Sequence, residues 1–356
     1  MKIKKFFKVV AFLLIFCICF FTVQTVLVGD SDTRDQKRIS GFFELPEKSL
    51  DAVFLGSSAT YAFWNAPVAW AEHGISVYPL SNNAQPSFAA KFIIEDTIDK
   101  HPDALYIVNI SHILVKYDYY VYHLLNNYPF SINKLKMTDY LCNYAEFSLA
   151  KKMEYFFPVI RFHNRWSELG AYDFGVTPDE YMGGSRYKEY LNTAKDVSDF
   201  EINFSWRADL PEKVVKGMND LMDYCENKKA KVLFVVMPQA EGKERFSNQN
   251  SLVELAESRG FDVLDLRRHI DEIGLDFTKD YYNERHTNIH GSLKVTEFIS
   301  QYLIENYGFE DKRGDDSYSN WDEAAEKYYK LVSSHLTEKD LKYITVELPE
   351  DTEEEK

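Results

Sequence analysis

Asp51-Ala-Val-Phe-Leu-Gly-Ser-Ser-Ala-Thr60 decides the fold class. A short apolar run ends in Gly56, the pattern of a buried strand entering a turn. Downstream, Tyr61 to His73 has helical spacing and stops at Gly74, a C-cap signal. Ile75 to Leu80 reads as a second strand and Ser87 to His101 as a helix with Phe88, Phe92, Ile93, Ile94 and Ile98 apolar; Ala104 to Ile110 reads as a third strand. Strand and helix alternating at this pitch imply a parallel sheet with crossover helices. The rhythm resumes with a helix over Lys213–Asn227, a strand over Val232–Met237 stopped by Pro238, a helix over Leu252–Arg259, a strand over Phe261–Leu264 and an amphipathic helix over Leu293–Tyr307. The expected architecture is α/β, a three-layer sandwich around a mainly parallel central sheet.

Residues 112–205 break this rhythm. They are aromatic and partly helical, with Gly183-Gly184 among them, and read as a large insertion into one domain spanning 31–308. Such insertions often cover the edge of an open sheet where strands end and ligands bind. Residues 31–50 are polar, a membrane-proximal linker or short helix. Residues 309–356 form an acidic stretch ending Glu347-Leu-Pro-Glu-Asp-Thr-Glu-Glu-Glu-Lys356, expected to be a solvated, partly helical or disordered tail.

At 45% hydrophobic residues the 356-residue chain has material for a sizeable core. Its 24 Tyr and 26 Phe are expected chiefly in that core, with aromatic surface for a sugar polymer or a membrane interface as the rival use. A net charge of −15 without a Lys/Arg cluster in the body argues against a nucleic-acid partner. The four cysteines show no CxxC or Cys/His spacing for zinc. Cys17 and Cys19 lie in the apolar N-terminal run. Cys142 and Cys225 are expected as two buried free thiols, with a disulfide between them as the alternative.

Residues 1–30 read as a basic stub and an anchor. Lys2, Lys4, Lys5 and Lys8 precede a 20-residue apolar run, Val9 to Val28, interrupted by Thr22, Gln24 and Thr25. At about 1.5 Å per residue the run reaches roughly 30 Å, the thickness of a bilayer's hydrocarbon core. The lysines place the N-terminus in the cytoplasm and the rest of the chain outside. A cleaved signal peptide is the rival, but Val26-Leu-Val-Gly-Asp30 is a poor cleavage site.

Two strings carry candidate chemistry. In Gly56-Ser57-Ser58 a serine stands where a strand meets a helix, its hydroxyl exposed and the following backbone N–H groups available to an oxyanion; an ordinary N-cap serine is the bland alternative. Asp280-Tyr-Tyr-Asn-Glu-Arg-His-Thr-Asn-Ile-His-Gly291 lies just before the last helix, where His286 can return to the first strand's serine as a general base. His290 is expected to cap that helix or lie at the surface. A metal bound by His286 and His290 lacks a carboxylate or Cys at ligand spacing.

Together these strings resemble the SGNH/GDSL hydrolase superfamily over roughly residues 50–307, excluding the insertion. With the anchor, they are similar to its membrane-anchored, cell-surface branch of DltD-type D-alanine-transfer proteins and alginate O-acetylation proteins. The resemblance implies a flavodoxin-like sandwich, Ser58 rather than Ser57 as nucleophile, and His286 rather than His290 as base. It departs at the acid position: Asn283 stands where Asp is usual, leaving Asp280 or a Ser–His dyad to serve. The family's oxyanion donors are a Gly after the second strand and an Asn after the third; here the second-strand exit, Ser81-Asn82-Asn83-Ala84-Gln85, has no Gly, so Asn83 and Asn109 are the candidate donors, and both are also turn formers. The implied function is an extracytoplasmic esterase or O-acyltransferase acting on a cell-envelope polysaccharide or acylated polymer. No cofactor or metal is implied, and the expected partners are the bilayer, a surface glycan and a membrane-bound O-acyltransferase. A non-catalytic polysaccharide-binding or assembly protein on the same fold is the alternative, motivated by Asn283.

Overall fold

The computed structural model describes residues 2–28, 33–112, 118–174, 182–185 and 201–333. The chain begins with a long apolar helix, α1 (Lys2–Leu27), and a short one, α2 (Thr33–Glu44). Ile3–Leu27 is long and apolar enough to cross a membrane. The α/β body then runs β1 (Ala52–Leu55), α3 (Ser58–Phe63), α4 (Ala66–His73), β2 (Val77–Tyr78), α5 (Ala90–Thr97) and β3 (Leu105–Asn109). Next come α6 (Asp118–Asn127), α7 (Ile132–Tyr144), α8 (Leu149–Phe156) and α9 (Pro158–Phe162), all between β3 and the next strand. The rhythm returns in α10 (Glu212–Lys228), β4 (Val232–Val236), α11 (Lys243–Ser258), β5 (Asp262–Asp265) and α12 (Ile270–Ile273). A hairpin, β6 (Tyr281–Asn283) and β7 (His286–Thr287), leads into α13 (Ile289–Tyr307) and α14 (Ser319–Val332).

The five strands of the central sheet are all parallel, in the order β2-β1-β3-β4-β5. Every residue of β1, β3 and β4 is buried, as a parallel strand covered on both faces must be. Phe54 pairs with Ile107 and Ile107 with Leu233, so apolar rungs cross the middle of the sheet. From β1 the chain steps to β2 on one side and then to β3 on the other. The crevice beyond the C-terminal ends of β1 and β3 is therefore the topological switch point, where open α/β sheets bind ligands.

Several expected elements differ in detail. The helix expected over Tyr61–His73 is two helices, because Trp64 is extended and Asn65 opens α4 as its N-cap, with Pro67 in the first turn; proline tolerates that position but not a helix interior. The second strand shrinks from Ile75–Leu80 to Val77–Tyr78 plus a bridge from Gly56 to Ser81. It is an edge strand followed by Pro79, which has no N–H for the ladder. Ser87–Ala89 is a 3₁₀ turn ahead of α5. The helix expected over Leu252–Arg259 starts earlier, at Lys243, and the last expected helix starts at Ile289, capped by Asn288. Cys142 and Cys225 are buried free thiols, and burial pushes the Cys225 thiol up to about 12.

The acidic stretch after 308 is a tail only in part. α14 packs on α4, with Trp321, Tyr328 and Tyr329 buried. The Trp321 ring lies 6.0 Å from that of Trp70, stacked. Burial of such large rings outweighs the acidic composition around them. Residues 334–356 lie outside the described residues.

One buried ion pair fixes the far edge of the sheet. Arg267, only 2% exposed, grips Asp265 with two 2.7 Å hydrogen bonds and also donates to Gln249 and Asn250 of α11. Its guanidinium lies 4.3 Å from the Phe246 ring centroid. Arg267→Ala strips the buried Asp265 carboxylate of both guanidinium bonds and leaves Arg268, 3.5 Å away, as its cation; it is expected to cost about 3 kcal/mol, the low end for breaking a buried pair. Chemical denaturation of the full chain in detergent measures that loss as a lower midpoint.

Candidate functional site

At the C-terminal end of β1, Gly56 lets two elements approach closely. A Cβ there would meet Asn109 Cβ at 2.7 Å and Thr60 Oγ1 at 2.3 Å. Ser57 then takes an extended conformation as the N-cap of α3, without a side-chain capping bond, and Ser58 is the first helical residue. The first N–H groups of a helix have no intrahelical partner and point out of its N-terminus.

His286 arrives from the other end of the chain on the β6–β7 hairpin. Asn283 and His286 are opposed across the hairpin, so their spacing of three is that of a two-residue turn, Glu284-Arg285. Three contacts pin this hairpin beside the exit of β4. Ala240 N–H donates to Glu284 O, Gln239 Nε2 to Arg285 O, and Tyr281 OH to Pro238 O. A fourth ties it to α3, where Thr287 Oγ1 donates to Ala62 O at 2.5 Å. Gly291 permits the turn into α13, since a Cβ there would lie 2.3 Å from the Asp280 carbonyl oxygen.

The result is a hydrogen-bonded chain between residues 228 apart in sequence: Ser58 Oγ lies 2.8 Å from His286 Nε2, and His286 Nδ1 lies 3.0 Å from Asn283 Oδ1. The Ser–His distance is within the reach a general base requires. The Tyr282 ring stacks on His286, 5.4 Å away and tilted by 7°. Arg285 N–H donates to the same Asn283 Oδ1 at 2.9 Å. A backbone N–H demands an oxygen, so the Asn283 amide is oriented with its carbonyl toward the imidazole. That carbonyl only accepts, which puts the proton on Nδ1 and leaves the Nε2 lone pair for the Ser58 hydroxyl.

Asp280 does not join this chain. It is buried, holds Lys294 Nζ at 2.6 Å and accepts from Asp276 N–H at 2.7 Å. Its own backbone oxygen accepts from Asn288 N–H, so it braces the hairpin's base. Another nearby carboxylate, Glu241, is raised above the usual range by burial, and Arg245 at 2.6 Å opposes that shift. Arg285 lies 3.6 Å from it, so its charge faces arginines.

The expected oxyanion donors fare unequally. Asn109 sits beside Gly56, but its Oδ1 accepts from Ser111 N–H at 2.9 Å and its amide contacts Thr60 Oγ1 at 3.4 Å. Those bonds tie the exit of β3 to α3. Asn83 lies half-buried in the turn after the Gly56–Ser81 bridge. His290 is in the first turn of α13, and the cap is Asn288, whose side chain accepts from Gly291 N–H at 3.1 Å. Among the described residues, no three His, Cys, Asp or Glu side chains gather as a metal site.

Two positioning residues were not singled out from the sequence. Asn82 is fully buried; its N–H donates to Gly56 O and its Nδ2 to His123 O at 2.7 Å. Thr287 joins the hairpin to α3. Thr287 adjoins the expected base and Asn82 the expected donor, and that adjacency was the available signal. No protein-family model matches the chain, and no curated protein matches it.

Proposed function

We propose that this chain is a membrane-anchored, extracytoplasmic serine-type acyl-ester enzyme of the SGNH/GDSL type. It acts as an esterase or O-acyltransferase on a cell-envelope polysaccharide or related acylated polymer. The observation that carries this is the Ser58–His286–Asn283 chain at the switch point of a parallel sheet. The Gly56-Ser57-Ser58 and Asn283-x-x-His286 strings support the family assignment, with helices on both faces of the sheet as a three-layer sandwich. α1 supports the anchor, and Lys2, Lys4, Lys5 and Lys8 support a cytoplasmic N-terminus.

Ser58 Oγ attacks the acyl carbonyl carbon as its proton passes to His286 Nε2. The tetrahedral oxyanion is met by the first N–H groups of α3. The intermediate collapses, the leaving oxygen takes the proton from His286, and the acyl group stays on Ser58. Water or a sugar hydroxyl then gives its proton to His286 and attacks the acyl carbon; the bond to Ser58 Oγ breaks, and His286 returns the proton to that oxygen.

A fluorophosphonate probe tests this directly. Phosphonylation of Ser58 in the folded chain, detected by mass, is the expected result. Absence of labelling favours the second reading, a non-catalytic glycan-binding or assembly protein, for which Asn283 at the acid position is the specific observation.

A further inference from the structure

We propose that the helical insertion α6–α9, with the two 3₁₀ turns after it, is a membrane-docking surface that seats in the outer leaflet beside α1. This rests on the anchor reading above and goes beyond it, because an anchor alone leaves the domain free to swing.

The first observation is where apolar side chains meet solvent. Outside α1, ten large hydrophobic residues are exposed among the described residues, and eight of them fall between Phe130 and Phe174. Exposed apolar side chains scattered singly are ordinary on a soluble domain; their concentration in one segment calls for a partner surface. The second observation is what borders the cluster. α9 and the 3₁₀ turns His163–Ser167 and Ala171–Phe174 all pack against α1. Phe157 lies 6.3 Å from Phe20 and Phe130 5.8 Å from Phe21, ring centre to ring centre, and Arg165 Nη1 donates to the Leu27 carbonyl.

Depth then selects the occupant. Phe20 precedes Leu27 by seven residues, about 10 Å along a helix axis. With Val9 to Val28 filling the hydrocarbon core, Phe20 and Phe21 lie about that far beneath its outer boundary, and the rings that touch them are submerged too. Interfacial apolar faces bury to roughly 5–10 Å, so the cluster sits at lipid depth. Ile160, Trp166 and Phe174, between 49% and 65% exposed, then face lipid, with Trp166 near the end of α1 where tryptophan favours the interface. The insertion is also tied to the candidate site, since Asn82 bonds His123 of α6 and Gly56 of the serine turn. Docking therefore fixes the height of the Ser58 edge above the bilayer.

The test uses the full chain in phosphatidylcholine vesicles, with lipids brominated at shallow or deep acyl positions as quenchers of tryptophan fluorescence. Of the other four tryptophans, Trp64, Trp70 and Trp321 are buried in the protein and Trp206 is part-buried against Phe246. Shallow bromines are expected to quench strongly, and Trp166→Phe is expected to lose most of that quenching while the chain still floats with the vesicles. Equal quenching in wild type and W166F overturns the proposal. So does a Trp166 that aqueous iodide reaches, or one shielded from both quenchers by a second copy of the chain. A chain that fails to float after a carbonate wash sinks the anchor itself, which is a separate failure.

Discussion

Ser58→Ala is expected to abolish fluorophosphonate labelling and to lower hydrolysis of a small acyl ester by at least about 10³-fold, since loss of a serine nucleophile removes the covalent route and leaves only binding and oxyanion stabilisation. The hydroxyl is half-buried and bonds one partner, His286. Its removal is expected to change stability by about 1 kcal/mol or less, so a lost signal reports chemistry and not unfolding. Ser57→Ala is the matched control. Ser57 caps α3 without a side-chain bond, and its variant is expected to keep both labelling and turnover. Full labelling of Ser58→Ala, or equal loss in both variants, sinks the assignment of nucleophile.

The parts of the fold legible in the sequence are those whose burial is complete. β1, β3 and β4 are short apolar runs because both faces of a parallel strand are covered, so no alternating pattern blurs them. β2 was overdrawn because an edge strand needs few paired residues, and apolar content does not say where pairing stops. The acidic stretch after 308 concealed α14, since net charge averages away the spacing of Trp321, Ala325, Tyr328 and Val332 along one buried face. At the candidate site, Ser58 and His286 each carried a local signal, a strand-to-helix turn and a polar loop before a helix. What sequence could not supply was the competition for Asp280. Lys294, 14 residues on and one turn inside α13, claims that carboxylate, and only the folded geometry brings it there. Nor does the sequence give the bonds of Asn109: its amide is adjacent to the serine turn and contacts Thr60, while its Oδ1 accepts from Ser111.

The Asn283 position separates the two jobs a triad acid performs. One job is orientation, which Asn283 does through Oδ1, held toward the ring by Arg285 N–H. The other is charge: in the proposed reaction a carboxylate would stabilise the imidazolium formed as Ser58 attacks, and an amide would do so only weakly. Asn283→Leu removes the acceptor, frees the imidazole to take the wrong tautomer and leaves Nδ1–H and Arg285 N–H without a partner. The expected loss in kcat/KM is about 10²–10⁴-fold, the scale seen when a triad histidine is held in the wrong tautomer. Asn283→Asp keeps the acceptor and adds the charge. An opposite charge at this distance raises a histidine's pKa by about 1–3 units, so the variant is expected to gain about tenfold or more in kcat/KM on the pH plateau. The sign of its pH dependence follows. The proposed mechanism needs neutral His286 in the free protein, and a raised pKa protonates it at higher pH, so the acid limb of the rate profile is expected to shift upward and the variant to lose its advantage as pH falls. A Ser–His pair working alone predicts that Asn283→Leu keeps wild-type activity, and a pH profile of the three proteins decides between the two.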